Sequence, residues 1–212
     1  MRRKDARFKN PKLKIMIDAA LNYIRDELEK YLFRFDELNL VPNKPKVVLG
    51  NISQLEAQSS DGNPQNDLDE KVVMTLINVE EEFTLKNGPT FTPAKDGGFR
   101  HNPPVNLNLY LLFTITESTY TNAMAFLTKV ISFFQARQVF DHENSPGLHD
   151  KIEKLLVELY NLNFENLNHL WGVLGGKELP FVLYKIRLVT IIAEPEDSES
   201  LVEVIETSEN AY

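Results

Sequence analysis

The sequence predicts an α+β domain with a mixed, largely antiparallel sheet flanked by helices. Residues 105–116 carry apolar side chains at every second position and a mixed set between them, over the length of a long strand. Residues 120–134 follow almost at once, with apolar side chains at helical spacing. The remaining segments read in the order helix, strand, strand before this unit and strand, helix, strand after it. This order places the helices mostly on one side of the sheet.

Length and charge indicate one domain with two charged tails. The chain has 212 residues, enough for one well-buried domain and too few for two large ones. Residues 1–15 form a basic arm with a charge of +6 and are predicted to be flexible, whereas residues 16–193 form the domain. Residues 194–212 are an acidic tail. The net charge of −8 therefore leaves −14 on residues 16–212, which argues against binding nucleic acid.

Composition excludes several kinds of site. The chain has no cysteine, so it has no disulfide, zinc–thiolate site or cysteine nucleophile, and this suits a reducing cytoplasm. No apolar run approaches the roughly 20 residues that cross a bilayer, so direct membrane insertion is not expected.

The first elements are a helix and two strands. Apolar residues from Met16 to Phe35 repeat at intervals of three and four, which predicts an amphipathic helix. Residues 46–53 (KVVLGNIS) read as a short strand, and the polar residues 54–70 as a surface loop. Residues 71–86 predict a second strand with a bulge or a solvated stretch at Glu80–Glu82. Residues 87–104 are predicted to be a loop that returns the chain antiparallel to it.

The strand at 105–116 and the helix after it form the centre of the domain. Ser118 or Thr119 is expected to cap the helix with a side-chain oxygen. The predicted core stripe of the helix comprises Tyr120, Ala123, Met124, Leu127, Val130, Ile131 and Phe134. A second apolar set, Phe126, Val130, Phe133 and Phe140, widens that stripe. Either the helix is sandwiched inside its own domain, or the second set forms a subunit interface.

The last elements are a strand, a short helix and a strand. Residues 154–161 read as a strand, with a helix at their start as the alternative. Asn163 is expected to cap a helix that runs through Val173 and carries Trp171 onto the sheet. Residues 181–192 form the last strand, in which Lys185 and Arg187 leave one face of the sheet partly open. In the acidic tail, the apolar residues of 201–205 either add as a strand to a neighbour's sheet edge or remain solvated.

The sequence contains no recognisable catalytic motif. Phosphate-binding glycine loops, nucleophile elbows and the HExxH zinc motif are all missing from it. His142 and His149 lie among acidic residues in a turn-rich segment, but their spacing fits no standard metal-ligand pattern. The sequence therefore predicts a binding protein with no cofactor and no metal, and not an enzyme.

Several segments together resemble one known family. They are MIDAALNYIRDELEKYL, KVVLGNIS, DEKVVMTLINVEEEF, the block from Asn102 to Phe140, and LPFVLYKIRLVTI. Their order and wording resemble the Pvc16 N-terminal domain (DUF4255) family. Its members are cap, or tail-terminator, proteins of extracellular contractile injection systems, which are phage-tail-like particles. The resemblance covers roughly residues 16–193 and implies a phage tail-terminator-like fold.

The resemblance implies a structural role. A cap of this kind forms a ring, expected to be a hexamer, on the last layer of the inner tube and sheath and ends their polymerisation. The implied partners are copies of this chain and the terminal sheath and tube proteins. Assembly is expected in the cytoplasm, as part of a particle that is later released or anchored.

Interface candidates come from apolar positions prone to exposure. They are Phe91 and Phe99 in the long loop, Phe126, Phe133 and Phe140 around the helix, and Val202 and Val204 in the tail. Two alternative functions remain. One is a completion or connector protein of a true phage tail. The other is a small-ligand-binding protein or enzyme with a pocket between loops 54–70 and 87–104.

Overall fold

The computed structural model describes residues 11–35, 46–55, 68–82, 91–94, 97–100, 106–175 and 178–190. This part of the chain contains three α-helices, which are α1 (Pro11–Leu32), α2 (Tyr120–Ala136) and α3 (Phe164–Val173), and a short 3-10 helix at Ile52–Gln54. The strands in it are β1 (Val47–Leu49), β2 (Val72–Glu81), β3 (Phe91–Ala94), β4 (Gly97–Arg100), β5 (Leu107–Ile115), β6 (Val139–Asp141), β7 (Ile152–Leu159) and β8 (Phe181–Thr190). The predicted α+β fold is confirmed.

Six strands form one mixed sheet in the order β1-β2-β5-β8-β7-β6. β1 pairs parallel with β2, and the other four neighbouring pairs are antiparallel. β3 and β4 pair with each other as a separate two-stranded sheet. This hairpin lies inside the segment predicted to be a loop. Its strands carry Pro93, Gly97 and Gly98, residues that obscure a strand pattern in sequence.

β5 lies in the middle of the sheet and is buried on both faces. Its predicted core face is confirmed, because Leu107, Leu109, Leu111, Phe113 and Ile115 are each at most 5% exposed. The opposite face carries Leu112 and Thr114, which are fully buried as well. A strand covered on both faces is fixed in register, since a slip by one residue would exchange its two faces.

Helix α2 buries a stripe that coincides only in part with the predicted one, at Ala123, Val130 and Phe134. Its buried residues are Ala123, Phe126, Val130, Phe133 and Phe134, whereas Tyr120 is 72% exposed and Ile131 38% exposed. Thr119 is the N-cap residue, but its side chain makes no capping hydrogen bond, so the predicted side-chain cap is not formed. The helix ends at Ala136, and Phe140 lies in β6, a strand that the sequence did not reveal.

Helix α1 covers the same face of the sheet as α2. It begins at Pro11, inside the segment predicted to be a flexible arm, and residues 1–10 lie outside the described residues. The Glu29 carboxylate accepts hydrogen bonds from the backbone N–H groups of Lys46 and Val47, with a shortest distance to Lys46 of 2.8 Å. Glu29 thus provides a hydrogen-bond acceptor for two backbone N–H groups at the start of β1 and links this strand to the helix.

Helix α3 covers the opposite face. The Asn163 side chain accepts a hydrogen bond from the Asn166 N–H at 2.8 Å, which confirms the predicted cap. Trp171 is buried, and its ring lies 5.5 Å from that of Phe181, so it packs the helix on the sheet as predicted. Residues from β2, β5 and β8 join α3 in this second, smaller apolar cluster.

Two boundaries in the sheet differ from the sequence prediction. The register of β2 against β5 shifts between Leu76 and Asn78, so the bulge lies at Ile77 and not at Glu80–Glu82. β7 begins at Ile152, earlier than expected, and β8 is described as far as Thr190. Lys185 and Arg187 are only partly buried, in keeping with a partly open face of β8.

Candidate contact surface

The polar residues considered for catalysis are spread over the surface. His142 and His169 are exposed and His149 is partly exposed, while His101 lies outside the described residues. No group of three or more potential metal ligands occurs in the part of the chain that the structure describes. Within that part, no helix has the length and apolar character needed to span a membrane either.

Three predicted interface residues lie inside the core. Phe126, Phe133 and Phe140 are 3%, 5% and 0% exposed. The Phe133 ring lies 5.3 Å from the Tyr31 ring, and the Phe140 ring lies 6.2 Å from that of Tyr23, so both pack against α1. These side chains pack in the domain's own core. This is the interpretation in which the helix is sandwiched inside its own domain. An aspartate there would bury a charge, so substitution would disturb folding before it disturbed assembly.

The other four interface candidates have no described side chains. The backbone of Phe91 pairs with Arg100, and that of Phe99 pairs with Thr92, in the β3–β4 hairpin. Val202 and Val204 lie outside the described residues. Their part in an interface stays a prediction.

Three exposed apolar residues lie close together in sequence where β7 leads into α3. We call Leu159, Tyr160 and Phe164 the corner surface; they are 53%, 39% and 90% exposed. The sequence does not reveal the corner surface. Phe164 lies three residues before Leu167, and this spacing predicts that both side chains of α3 face the sheet. Large apolar side chains that are exposed in this way are frequent at contact surfaces.

Two clefts flank the outer part of β2. The first, which we call the edge slot, has a volume of about 540 Å³ and lies between Leu21 of α1 and Leu170 and Val173 of α3, with Met74 and Ile77 along its floor. The second, the tyrosine cleft, has a volume of about 350 Å³. It shares Ile77, Leu170 and Val173 with the edge slot and is also lined by Tyr110, Tyr160, Leu162, Leu183, Asn78, Glu80, Asn166 and His169.

The tyrosine cleft has a fixed polar wall. The Tyr110 hydroxyl donates a hydrogen bond to the Glu80 carboxylate at 2.8 Å, and the Asn78 amide donates to the other carboxylate oxygen at 3.1 Å. The Tyr110 ring lies edge-on to Tyr160 at 5.0 Å. Burial, followed by the hydrogen bond to Glu80, raises the pKa of Tyr110 to about 12. Tyr110 therefore stays protonated at neutral pH and orients the carboxylate, a positioning contact and not an acid–base pair.

Lys46 and Glu117 form an ion pair at the top of the sheet. Their side chains are 17% and 8% exposed, and the Lys46 ammonium also lies 4.8 Å from the centre of the Phe126 ring. The pair joins the start of β1 to the segment between β5 and α2. A partly buried pair of this kind fixes geometry more than it adds stability.

Comparison with solved structures shows that the fold is similar to that of a sheath/tube terminator. The chain superposes on the sheath/tube terminator of an extracellular contractile injection system, PVC, in its extended state, with a TM-score of 0.52 and 14% identity. The match covers 92% of this chain and 62% of the terminator. The anti-feeding prophage cap, a tube-terminating cap, gives a TM-score of 0.45 and 13% identity over 67% of this chain and 49% of the cap.

Sequence comparison identifies the family. No curated protein is similar enough in sequence to count as a match. The model of the Pvc16 N-terminal domain matches residues 19–204, which is most of the chain. The chain spans less than two thirds of the terminator whose fold it shares. This protein belongs to the Pvc16 N-terminal domain family.

Proposed function

We propose that this protein is a cap, or tail terminator, of a phage-tail-like contractile injection system. It forms a ring of identical copies on the distal end of the inner tube and sheath and ends their polymerisation. Membership of the Pvc16 N-terminal domain family over residues 19–204 carries this proposal, and the fold shared with a sheath/tube terminator supports it. The role is structural and requires no catalytic site.

A closed ring explains how one small protein could end a tube. Stacked tube and sheath subunits leave their joining surfaces unpaired at the last layer, and a ring with matching symmetry covers all of them at once. We propose a hexamer, with the terminal sheath and tube proteins as partners. It is assembled in the cytoplasm and becomes part of a particle that is either released or anchored.

The corner surface is our candidate for a contact in this ring. Leu159 and Phe164 expose apolar area that the chain's own fold does not cover in the described residues. Exposed aromatic side chains of this kind are the usual anchors of protein interfaces. Phe91 and Phe99 of the β3–β4 hairpin and Val202 and Val204 of the tail are proposed as further contact residues.

The test is the mass of the purified protein, followed by negative-stain images of the same sample with sheathed particles. The expected result is a mass of six chains, or a single chain that becomes a ring only on particle ends. A stable monomer that ignores the particles would contradict the proposal.

Phe164→Asp should lower the fraction of capped ends by about tenfold, since it removes an anchor of about 2 kcal/mol or less.

The matched control is Asn168→Asp, which adds the same charge at an exposed position of the same helix. It should cap particles as the parent protein does. If Phe164→Asp also caps normally, the corner surface is not a ring contact, although the terminator role would stand on the parent protein's result.

A further inference from the structure

The tyrosine cleft holds a carboxylate that pairs with no cation among the described residues. Glu80 is exposed and accepts hydrogen bonds from the Tyr110 hydroxyl at 2.8 Å and from the Asn78 amide at 3.1 Å, and both donors are neutral. None of the ion pairs found in the described part of the chain includes Glu80. Lys185 pairs with Tyr110 between β8 and β5, but it does not line the cleft. The Glu80 carboxylate can therefore accept a cation from another molecule.

The walls of the cleft suit a long side chain with apolar carbon atoms. The lining includes five aliphatic residues, Ile77, Leu162, Leu170, Val173 and Leu183. Tyr160 and Val173 are 39% and 84% exposed, so the cleft is open to solvent. Its volume of about 350 Å³ lies near the lower end of the range of ligand sites, about 300–1,000 Å³. This space admits one long side chain and is too small for a helix.

We propose that the tyrosine cleft binds one arginine side chain of a different, basic partner protein. The guanidinium contacts Glu80, and the aliphatic part of the arginine lies along the apolar wall. Charge complementarity favours a basic partner over a second copy, because residues 16–212 of each copy carry −14. The inference goes beyond the terminator role and does not depend on it, since it concerns the chemistry of one cleft in a single chain.

The geometry of the carboxylate favours arginine over lysine. The Tyr110 hydroxyl donates to one Glu80 oxygen and the Asn78 amide donates to the other, so the carboxylate is held from both ends. Each carboxylate oxygen can accept a second hydrogen bond, and a guanidinium donates to both oxygens at once. A lysine ammonium acts as a point charge and does not match this paired arrangement.

The two tyrosine rings offer a second contact to the same side chain. The Tyr110 and Tyr160 rings lie 5.0 Å apart with an angle of 81° between their planes. In such an edge-on pair, one ring turns its edge to the other, so its own two faces are not covered by its partner. A guanidinium is attracted to the face of a tyrosine ring and stacks on it. The cleft therefore offers both groups that bind arginine, a carboxylate and an aromatic face.

The first test uses Nα-acetyl-L-arginine N-methylamide as the probe. It is titrated into the full-length, ¹⁵N-labelled protein, and the backbone amide signals are followed by NMR. We expect saturable shifts at Asn78, Tyr110 and Tyr160, while the amides of α2, on the other face of the sheet, remain unchanged. The citrulline analogue of the probe has nearly the same shape and no charge. It should bind about tenfold more weakly or less, because it makes no charge-assisted hydrogen bonds.

Two variants test whether the probe occupies this cleft. Glu80→Gln keeps the size of the side chain and should weaken binding of the arginine probe by about tenfold, because it removes the charge. Tyr110→Phe keeps the ring and should weaken binding by about threefold, because the carboxylate loses a neutral hydrogen bond that orients it. The matched control is Glu143→Gln, which removes the same charge from an exposed position after β6, at the opposite edge of the sheet. It should bind the probe as the parent protein does.

Four results would overturn the proposal. Shifts that do not saturate up to about 20 mM probe would show that the cleft has no useful affinity for arginine. Equal binding of the arginine and citrulline probes would show that charge plays no part. Unchanged binding in Glu80→Gln would place the probe elsewhere on the protein. A change in the sedimentation coefficient of Glu80→Gln without any probe would assign the cleft to a contact between copies of this chain.

Discussion

At the scale of single residues, Arg137 joins three parts of the chain. Its guanidinium lies 3.1 Å from the Glu27 carboxylate of α1 and donates hydrogen bonds to the Asn144 carbonyl and to the Ser145 hydroxyl in the loop after β6. It also lies 4.4 Å from the centre of the Phe140 ring. Because Arg137 follows the last residue of α2, one side chain fixes how this helix ends against α1 and the loop.

We expect Arg137→Ala to lower the free energy of unfolding by about 1–3 kcal/mol, because it removes several charge-assisted hydrogen bonds to partly buried groups. Urea unfolding followed by circular dichroism measures the change. The control is Arg25→Ala, which removes an ion pair with the adjacent, exposed Asp26 and should cost less than about 1 kcal/mol. Equal losses in the two variants would show that Arg137 acts as an ordinary surface residue.

Single residues also show where sequence reasoning reaches its limit. Asn163 was predicted correctly as a cap, since its role depends on residues next to it in sequence. Phe164, one residue later, is 90% exposed, although its spacing from Leu167 predicts that it faces the sheet. Phe126, Phe133 and Phe140 are buried because α1, α2 and β6 come together in space, which no local pattern records either.

At the scale of elements, α2 is the centre of the larger core. Phe134 is 1% exposed, and its ring lies 5.2 Å from Phe113 of β5 and 4.4 Å from Tyr184 of β8. It therefore ties the helix to the two central strands. Burial raises the pKa of Tyr184 to about 12, which agrees with a phenol enclosed by this aromatic group.

Phe134→Ala should lower the free energy of unfolding by about 3–5 kcal/mol, because it removes a fully buried ring and leaves a cavity between the helix and the sheet. Ile131→Ala on the same helix is the control; its side chain is 38% exposed, and the expected loss is under about 1.5 kcal/mol. Thermal and urea unfolding of both variants give the comparison. A small loss for Phe134→Ala would mean that the aromatic group does not hold α2 on the sheet.

Elements were predicted best where the pattern is long. β5 and α1 follow one period over many residues, so their faces were clear from sequence. β6, β3 and β4 have three or four residues each, too few to show a period. The bulge at Ile77 in β2 could not be located from sequence, because a bulge depends on the register with the partner strand. The run of glutamates suggested a bulge at Glu80–Glu82 instead.

At the scale of the whole molecule, the sheet is covered unequally. α1 and α2 close one face over nearly all of its strands, while α3 covers only part of the other and leaves the tyrosine cleft and the edge slot beside it. The uncovered regions lie along β2 and α3, near the corner surface. An assembling protein needs a stable core on one side and apolar area free on another, and this chain separates the two.

Net charge gives a final prediction for assembly. Each copy carries −8, so copies brought together in the proposed ring would repel one another, while the proposed apolar contact at Phe164 would be insensitive to screening. Raising the ionic strength from about 0.05 M to about 0.5 M shortens the screening length to a few ångströms and should strengthen ring formation by up to about tenfold. Sedimentation velocity measures the ring fraction at each salt concentration. Phe164→Asp should remain weakly associated throughout, and rings that dissociate as salt is added would indicate contacts made by ion pairs.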